Sequence, residues 1–365
     1  MPIITTNPST GERLAEYETM SDDQVAAHVA QTAEASLNWA RSGFEERSRI
    51  LNRAAELLRE RAEILATLIT SEMGKPISQA RAEVEKCAWM CEHNAEEAEA
   101  YLAPREVATS MSRSVVCYQP LGVVFAIMPW NFPLWQVIRF AAPNLMAGNA
   151  ALLSHAPIST GIALAVETLF RDAGLPEAVF TTLVIEDKQA AAVIGHPGVV
   201  AVTLTGSGRA GRAVATEAAR HLKKVVLELG GNDPYLILDD ADLDHAADCC
   251  VTLRMLVSGQ VCVSPKRLIA VASVYDAFEE RVVDRAKTFL PGDPLIESTN
   301  LGPLARSDLR ATLHDQVERT LADGGTCLLG GTLPAGPGFF YPATVLRDIP
   351  PGSAAYKEEL FGPVV

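Results

Sequence analysis

Apolar positions in the first hundred residues recur every three or four residues. Val25, Val29 and Ala33 follow one another at helical spacing, and Ser21 with Gln24 three positions later reads as a capping box before them. From about Glu45 to Ser71, Ile50, Leu51, Ala54, Leu57, Leu58, Leu65 and Leu68 share one broad face, which predicts a single long helix ended by Gly74 and Pro76. A third helix, rich in Ala and Glu, is expected over about Ser78 to Leu102.

The period then changes. SVVCYQ (114–119) and LGVVFAIMPW (121–130) are β-branched and apolar and read as strands. Strands and helices alternate from there: ALLSH, a helix from Ser159 to Asp172, VFTTLVI, a helix from Asp187 to Ile194, VVAVTLT, a helix from Arg209 to His221, and KKVVLEL. Strands that are apolar throughout, separated by helices, indicate a parallel sheet covered on both faces. After Gly230 and Gly231 a second alternation begins, with YLILDD, a helix from Asp242, RLIAVAS, a helix from Val274 and a helix from about Arg306 to Ala322. Two α/β domains are therefore expected, 1–229 and 230–365. A chain of 365 residues is long for one core, and 48% hydrophobic content can fill two.

Charge and cysteine usage narrow the function classes. A net charge of −14, with no long basic cluster, argues against nucleic acid and anionic membranes as partners. No apolar run reaches membrane-spanning length, and the N-terminus lacks the pattern of a signal peptide. The expected compartment is the cytoplasm. Seven cysteines, an odd number in a long chain, do not suggest a disulfide framework. No CxxC or HExxH spacing offers a metal site.

Four stretches carry candidate chemistry. TLTGSGRAGRAVA (203–215) follows a strand and opens a helix, and Gly206, Gly208 and Gly211 match G-x-G-x-x-G. Backbone N–H groups at such a helix start meet a pyrophosphate, and the generic rule looks about 20 residues on for a ribose acid, where Glu228 stands. A tight glycine turn needed only for packing is the plainer reading. PWNFP (129–133) places Asn131 between prolines at a strand end, ELGGNDP (228–234) places Glu228 before two glycines, and GQVC (259–262) places Cys262 in a small polar loop. Singly these read as a turn asparagine, a solvated acid and a small hydrophobe. Together they are the oxyanion donor, base and nucleophile of acyl transfer.

At this point the chain resembles an NAD(P)-dependent aldehyde dehydrogenase, and within that superfamily the bacterial succinate-semialdehyde dehydrogenases. The resemblance runs over essentially the whole chain through SEMGKP, PLGVVFAIMPWNFPLWQVIRFAAPNLMAGN, VTLTGSGRAGRA, KKVVLELGGNDP, GQVCVSPKR, NLGPLAR and EELFGPV. It implies two Rossmann-like α/β domains with parallel sheets and part of an oligomerisation hairpin at about 104–119. It also implies oxidation of a small aldehyde to its acid with NAD or NADP. Cys262 is implied as nucleophile, Asn131 with the Cys262 N–H as oxyanion donors, and Glu228 as the base that hydrolyses the thioester. The cofactor loop becomes Gly206, Ser207 and Gly211, with Gly208 incidental. Trp130, Ser154, Phe361 and Glu359 are implied as cofactor contacts, Glu359 taking the ribose role that the generic rule gave Glu228. Arg139, eight residues after Asn131, is implied as the group that binds the far carboxylate of an acidic aldehyde. Such enzymes assemble as homo-oligomers.

The chain departs from the family in four places. Ser154 stands where relatives carry a ribose-bonding lysine, and Leu256, Val257 and Ser258 replace the usual polar N-x before GQVC. Pro265 replaces a small residue, and FGPVV ends the sequence where relatives continue into further strands. These leave open an impaired enzyme, a fragment, or oxidation of another small aldehyde, with weak cofactor binding and poor assembly expected. A CoA-acylating relative is disfavoured by Glu228, and Pro157 offers no charge by which to choose between NAD and NADP.

Overall fold

The computed structural model describes residues 2–365, which divide into two compact units. The first comprises the chain up to Thr5, Glu16–Leu68 and Arg81–Leu229. The second comprises Thr6–Ala15, Ile69–Ala80 and Gly230–Val365. Two segments of the first hundred residues thus cluster with the second unit, a long-range pairing that local periodicity does not carry.

In the first unit, Ser21 caps the helix Asp22–Trp39 reciprocally with Gln24, its Oγ accepting from the Gln24 N–H and its own N–H reaching the Gln24 Oε1. Val25, Val29, Thr32, Ser36 and Trp39 form the buried stripe of that helix. The expected long second helix is instead two, Phe44–Glu60 and Ala62–Met73. The break falls at Arg61, whose guanidinium holds Asp172 at 2.7 Å. The apolar face continues across this break, which is why periodicity alone reads straight through it.

Five strands form a fully parallel sheet in the order Phe180–Thr182, Ala150–His155, Val123–Met128, Val199–Gly206, Lys224–Leu229. The three inner strands are mostly buried, as strands covered on both faces must be, with Val200 the one exposed position. Lys224–Leu229 is an edge, with Val225, Val226 and Leu229 exposed. Two expected strands are shorter than their apolar runs. VFTTLVI pairs only over Phe180–Thr182, and SVVCYQ only over Val115–Val116, against Arg105–Glu106 in an exposed antiparallel hairpin.

In the second unit Pro234–Ile237 pairs in parallel with Arg267–Ala270. The intervening helix Leu243–Met255 packs with Tyr275–Ala286 through Val251, Met255, Phe278 and Val282. Thr326–Leu329 and Val345–Arg347 add an antiparallel pair, so the second alternation is not parallel throughout. A further core joins Leu313 and Val317 of the helix Ser307–Ala322 to Tyr341, Leu360 and Val364. Main-chain bonds from Thr344 to Pro363 and from Leu346 to Val365 lay the last residues alongside Val345–Arg347. No described helix is long and apolar enough to cross a membrane.

His155, at the end of its strand, sets Nε2 against the Pro133 carbonyl at 2.9 Å. A carbonyl only accepts, so Nε2 carries the hydrogen and the neutral ring suffices. Burial pushes the ring pKa down to about 4, against weaker support from backbone hydrogen bonds. An unfolded chain takes up this proton near pH 6.5. The stabilisation from a neutral His155 is therefore complete above about 6.5 and is lost as pH falls towards about 4. Urea unfolding at pH 7.5 and 4.5 should show the parent losing on the order of 2 kcal/mol more than His155→Gln. Parallel losses in the two proteins would remove His155 from this account.

Candidate active site

Parallel strands end on one edge of their sheet, and that edge collects most of the first unit's candidates. Trp130 and Asn131 follow Val123–Met128 directly, and Ser154 lies opposite Ile127 in the pairing register. Gly206 ends its strand opposite Leu229, and Glu228 lies opposite Thr205. Val123–Met128 and Val199–Gly206 are adjacent, and the chain winds outward from them in both directions. This is the switch point at which open α/β sheets bind ligands.

The turn bearing Asn131 is clamped on two sides. Glu83, buried on the helix Ile77–Tyr101, accepts the N–H groups of Leu134 and Trp135 at 3.0 and 2.9 Å. These are orphan donors at the start of the helix Trp135–Met146, so a carboxylate there is doubly favoured. His155 holds the Pro133 carbonyl, and the Lys86 ammonium sits 3.9 Å over the Trp135 ring. Asn131 is buried, while Glu228 is exposed. Arg139 is half-buried on the following helix, and among the described residues no carboxylate pairs with it.

Ser207 caps the helix Gly208–Arg220, its Oγ accepting from the Ala210 N–H at 3.2 Å. At Gly211 a Cβ would come within 2.7 Å of the Leu229 side chain, so glycine is needed for helix and strand to meet. At Gly206 and Gly208 the nearest atoms to such a Cβ lie at 3.6 Å. Those are ordinary contacts, so packing does not demand glycine at either position, and the first amides of this 13-residue helix suit a phosphate.

In the second unit the thiol loop departs from ordinary backbone. Val257 (φ 52°), Ser258 (φ 54°) and Gly259 (φ 74°) are consecutive left-handed residues, a conformation unusual for any side chain and more so for a β-branched one. Side chains hold it. Gln79 Oε1 accepts the Val257 N–H at 2.9 Å, and Ser258 Oγ donates to the Gly302 carbonyl at 2.8 Å. Gln260 donates from Nε2 to the Val257 carbonyl and accepts the Ala305 N–H on Oε1. Any Cβ on Gly259 would fall 2.1 Å from the main chain of Gly362, so the thiol loop and the FGPVV segment touch backbone to backbone.

Beneath the loop lies Arg254, fully buried, with four acceptors. Nε donates to the Val364 carbonyl, Nη1 to the Gly259 carbonyl and Ser264 Oγ, and Nη2 to the Leu360 carbonyl. Burial pushes its pKa down to about 9, opposed by the attraction of Glu359, and it remains a cation at neutral pH. Lys266, also buried, donates to the Cys262 carbonyl and pairs with Glu359 at 3.0 Å. Glu359 in turn abuts Gly230, where a Cβ would fall 1.9 Å from its Oε2. Phe361 is half-buried in the same segment. Cys262 itself is half-buried. Burial closes off other thiols, with Cys91 pushed up to about 12, Cys250 to about 11 and Cys327 upward.

Sequence reading missed Gln79, Glu83 and Arg254, and named Lys266 only as part of a motif. A signal existed for two of them. Glu83 falls in line with Ile77, Ala80, Val84 and Cys87, and Arg254 with Ala247, Cys250 and Val251, so each interrupts an apolar stripe with a charge.

The chain is similar along its length to known proteins. The chain is 43% identical over 363 residues to succinate-semialdehyde dehydrogenase [NADP(+)] of Deinococcus radiodurans, covering 100% of this chain and 76% of that protein. It is 44% identical over 361 residues to succinate semialdehyde dehydrogenase [NAD(P)+] Sad of Escherichia coli, covering 99% of this chain and 78% of that one. The crystal structure of succinic semialdehyde dehydrogenase from Streptococcus pyogenes in complex with NADP+ superimposes with a TM-score of 0.97 at 35% identity, over 99% of this chain and 80% of that chain. Residues 2–365 match the aldehyde dehydrogenase family, to which this chain belongs.

Proposed function

We propose that this protein oxidises succinate semialdehyde to the dicarboxylic acid, with NADP+ or NAD+ as hydride acceptor, through a covalent intermediate on Cys262. The observation that carries the reading is the thiol itself: half-open, on a strained loop locked by side chains, in a chain that aligns along its full length with named succinate-semialdehyde dehydrogenases. In this reading the Cys262 sulfur bonds to the aldehyde carbon. The Asn131 amide and the Cys262 N–H take the oxyanion. The bound nicotinamide supplies the hydride acceptor. Glu228 takes a proton from the water that attacks the thioester, and the C–S bond breaks to release the acid. Being exposed, Glu228 has access to that water. The amides at the start of the helix Gly208–Arg220, with Gly206, Ser207 and Gly211, would hold the cofactor phosphates. Trp130, Ser154, Phe361 and Glu359 would contact the rest of it. Arg139 would meet the far carboxylate. The exposed hairpin of Arg105–Glu106 and Val115–Val116 would serve contacts between copies in a homo-oligomer, since two strands alone are marginal in water. Seven free thiols suit a reducing compartment such as the cytoplasm.

Rapid mixing with succinate semialdehyde and NADP+ tests the chemistry. Glu228→Gln should retain a first burst of reduced cofactor while steady turnover falls about 10²-fold or more, and Cys262→Ala should show neither phase. Full turnover in Cys262→Ala would end the thiol mechanism. For Arg139→Ala, kcat/KM should fall about 10–100-fold on succinate semialdehyde and hold steady on an uncharged aldehyde of similar length. Equal losses on both substrates would take Arg139 out of substrate recognition. In Gly230→Ala the new methyl must push Glu359 aside, so the cofactor KM should rise about tenfold while the aldehyde KM stays put. An unchanged cofactor KM would mean that Glu359 does not contact the cofactor.

A further inference from the structure

A thiol nucleophile reacts from between two peptide planes, and in this protein both are pinned by their carbonyls. On one side the Cys262 carbonyl accepts from Lys266 Nζ. On the other, the Val261 carbonyl accepts from Ser264 Oγ at 2.9 Å and, more loosely, from the Ser264 N–H at 3.4 Å. That second plane also carries the Cys262 N–H, since a trans peptide points its N–H opposite its C=O. The Ser264 hydroxyl has one hydrogen, and Arg254 Nη1 lies 2.9 Å from its oxygen. A guanidinium cannot accept, so Ser264 must accept from Arg254, which leaves its hydrogen for Val261. Ser264 is 2% exposed and Arg254 0%, so no water competes for either bond.

We propose that Ser264, oriented by Arg254, is a positioning residue for acyl transfer: it fixes and polarises the Val261–Cys262 peptide so that the Cys262 N–H faces the developing oxyanion. This rests on reading Cys262 as the acyl-accepting thiol. The bonds form a directed series from cation to hydroxyl to carbonyl to N–H, and each polarises the next. Lys266, from the opposite plane, keeps the same residue from rotating.

The test compares two reactions of Cys262 in the whole chain without cofactor, with Cys117 and Cys249 replaced by serine so that neither competes. With p-nitrophenyl acetate, the Cys262 sulfur bonds to the ester carbon, the C–O bond breaks, p-nitrophenolate leaves with the electron pair, and the thiol proton passes to water. That route passes through an oxyanion. Alkylation by iodoacetamide displaces iodide and forms none. In Ser264→Ala the single-turnover acylation rate should fall about tenfold relative to alkylation, a fraction of what a lost oxyanion donor costs. Ser264→Thr, which keeps the hydroxyl, should restore the ratio. Should Ser264→Ala fail to fold, Arg254→Lys carries the test, because it keeps the charge and breaks the fork, and there too the ratio must fall. An unchanged ratio, or acylation and alkylation falling together, overturns the proposal. Aldehyde oxidation in the parent is read separately. If it is absent while the ratio still falls, the substrate reading fails and the positioning role stands. If it is present while the ratio holds, the reverse is true.

Discussion

A guanidinium without access to solvent must satisfy its donors inside the protein or lose several kcal/mol in desolvation. Arg254 does so with three carbonyls and one hydroxyl, drawn from the thiol loop, from the serine just past the thiol and from the last residues of the chain. No helix or sheet connects those segments. What fixes them to one another is the geometry of a planar fork. The contact of Gly259 with Gly362, and the pair between Lys266 and Glu359, fall into place around it. The second unit therefore orders the Cys262 loop from a buried charge outward, whereas the first orders Asn131 and its neighbours from the carboxyl edge of a sheet.

Buried ions recur as scaffolding. Arg47 donates to the carbonyls of Trp39, Ala40 and Met146 and is itself depressed by burial, opposed by Glu46. It thereby ties the end of the helix Asp22–Trp39 to the end of the helix Trp135–Met146. Glu83 holds the other end of that second helix. The asparagine turn is thus braced through a helix gripped at both ends by ions of opposite sign, each matched to the helix pole it meets.

Much of this was legible in the sequence, for identifiable reasons. The inner strands announced themselves because a strand buried on both faces is apolar at every position. The Ser21 box and the Gly211 turn were legible because caps and close contacts demand particular residue types locally, whereas Ser207 entered only through the family's phosphate-loop pattern. The break at Arg61 was not, because the apolar face runs on through it. The short pairing of Val115–Val116 was not, because β-branched composition promises a strand but not a partner. Arg254, Glu83 and Arg47 were written into the apolar stripes of their helices, but a single sequence does not say which carbonyls wait at the other end. The Cys262 loop was found through its motif. Its left-handed Val257 and Ser258 could not have been, since nothing in those residue types favours that backbone.

Those two residues bear on how the protein responds to heat. Non-glycine residues held at positive φ raise the free energy of the folded loop, on the order of 1–3 kcal/mol each. Local opening of such a segment needs only the surrounding hydrogen bonds to give way, and it releases strain as it proceeds. Cys262 therefore lies just past a segment that carries strain the parallel sheet does not. Warming should separate the two processes, so that inactivation and unfolding are distinct events with distinct midpoints. An additive that strengthens the global fold would leave the earlier event where it was.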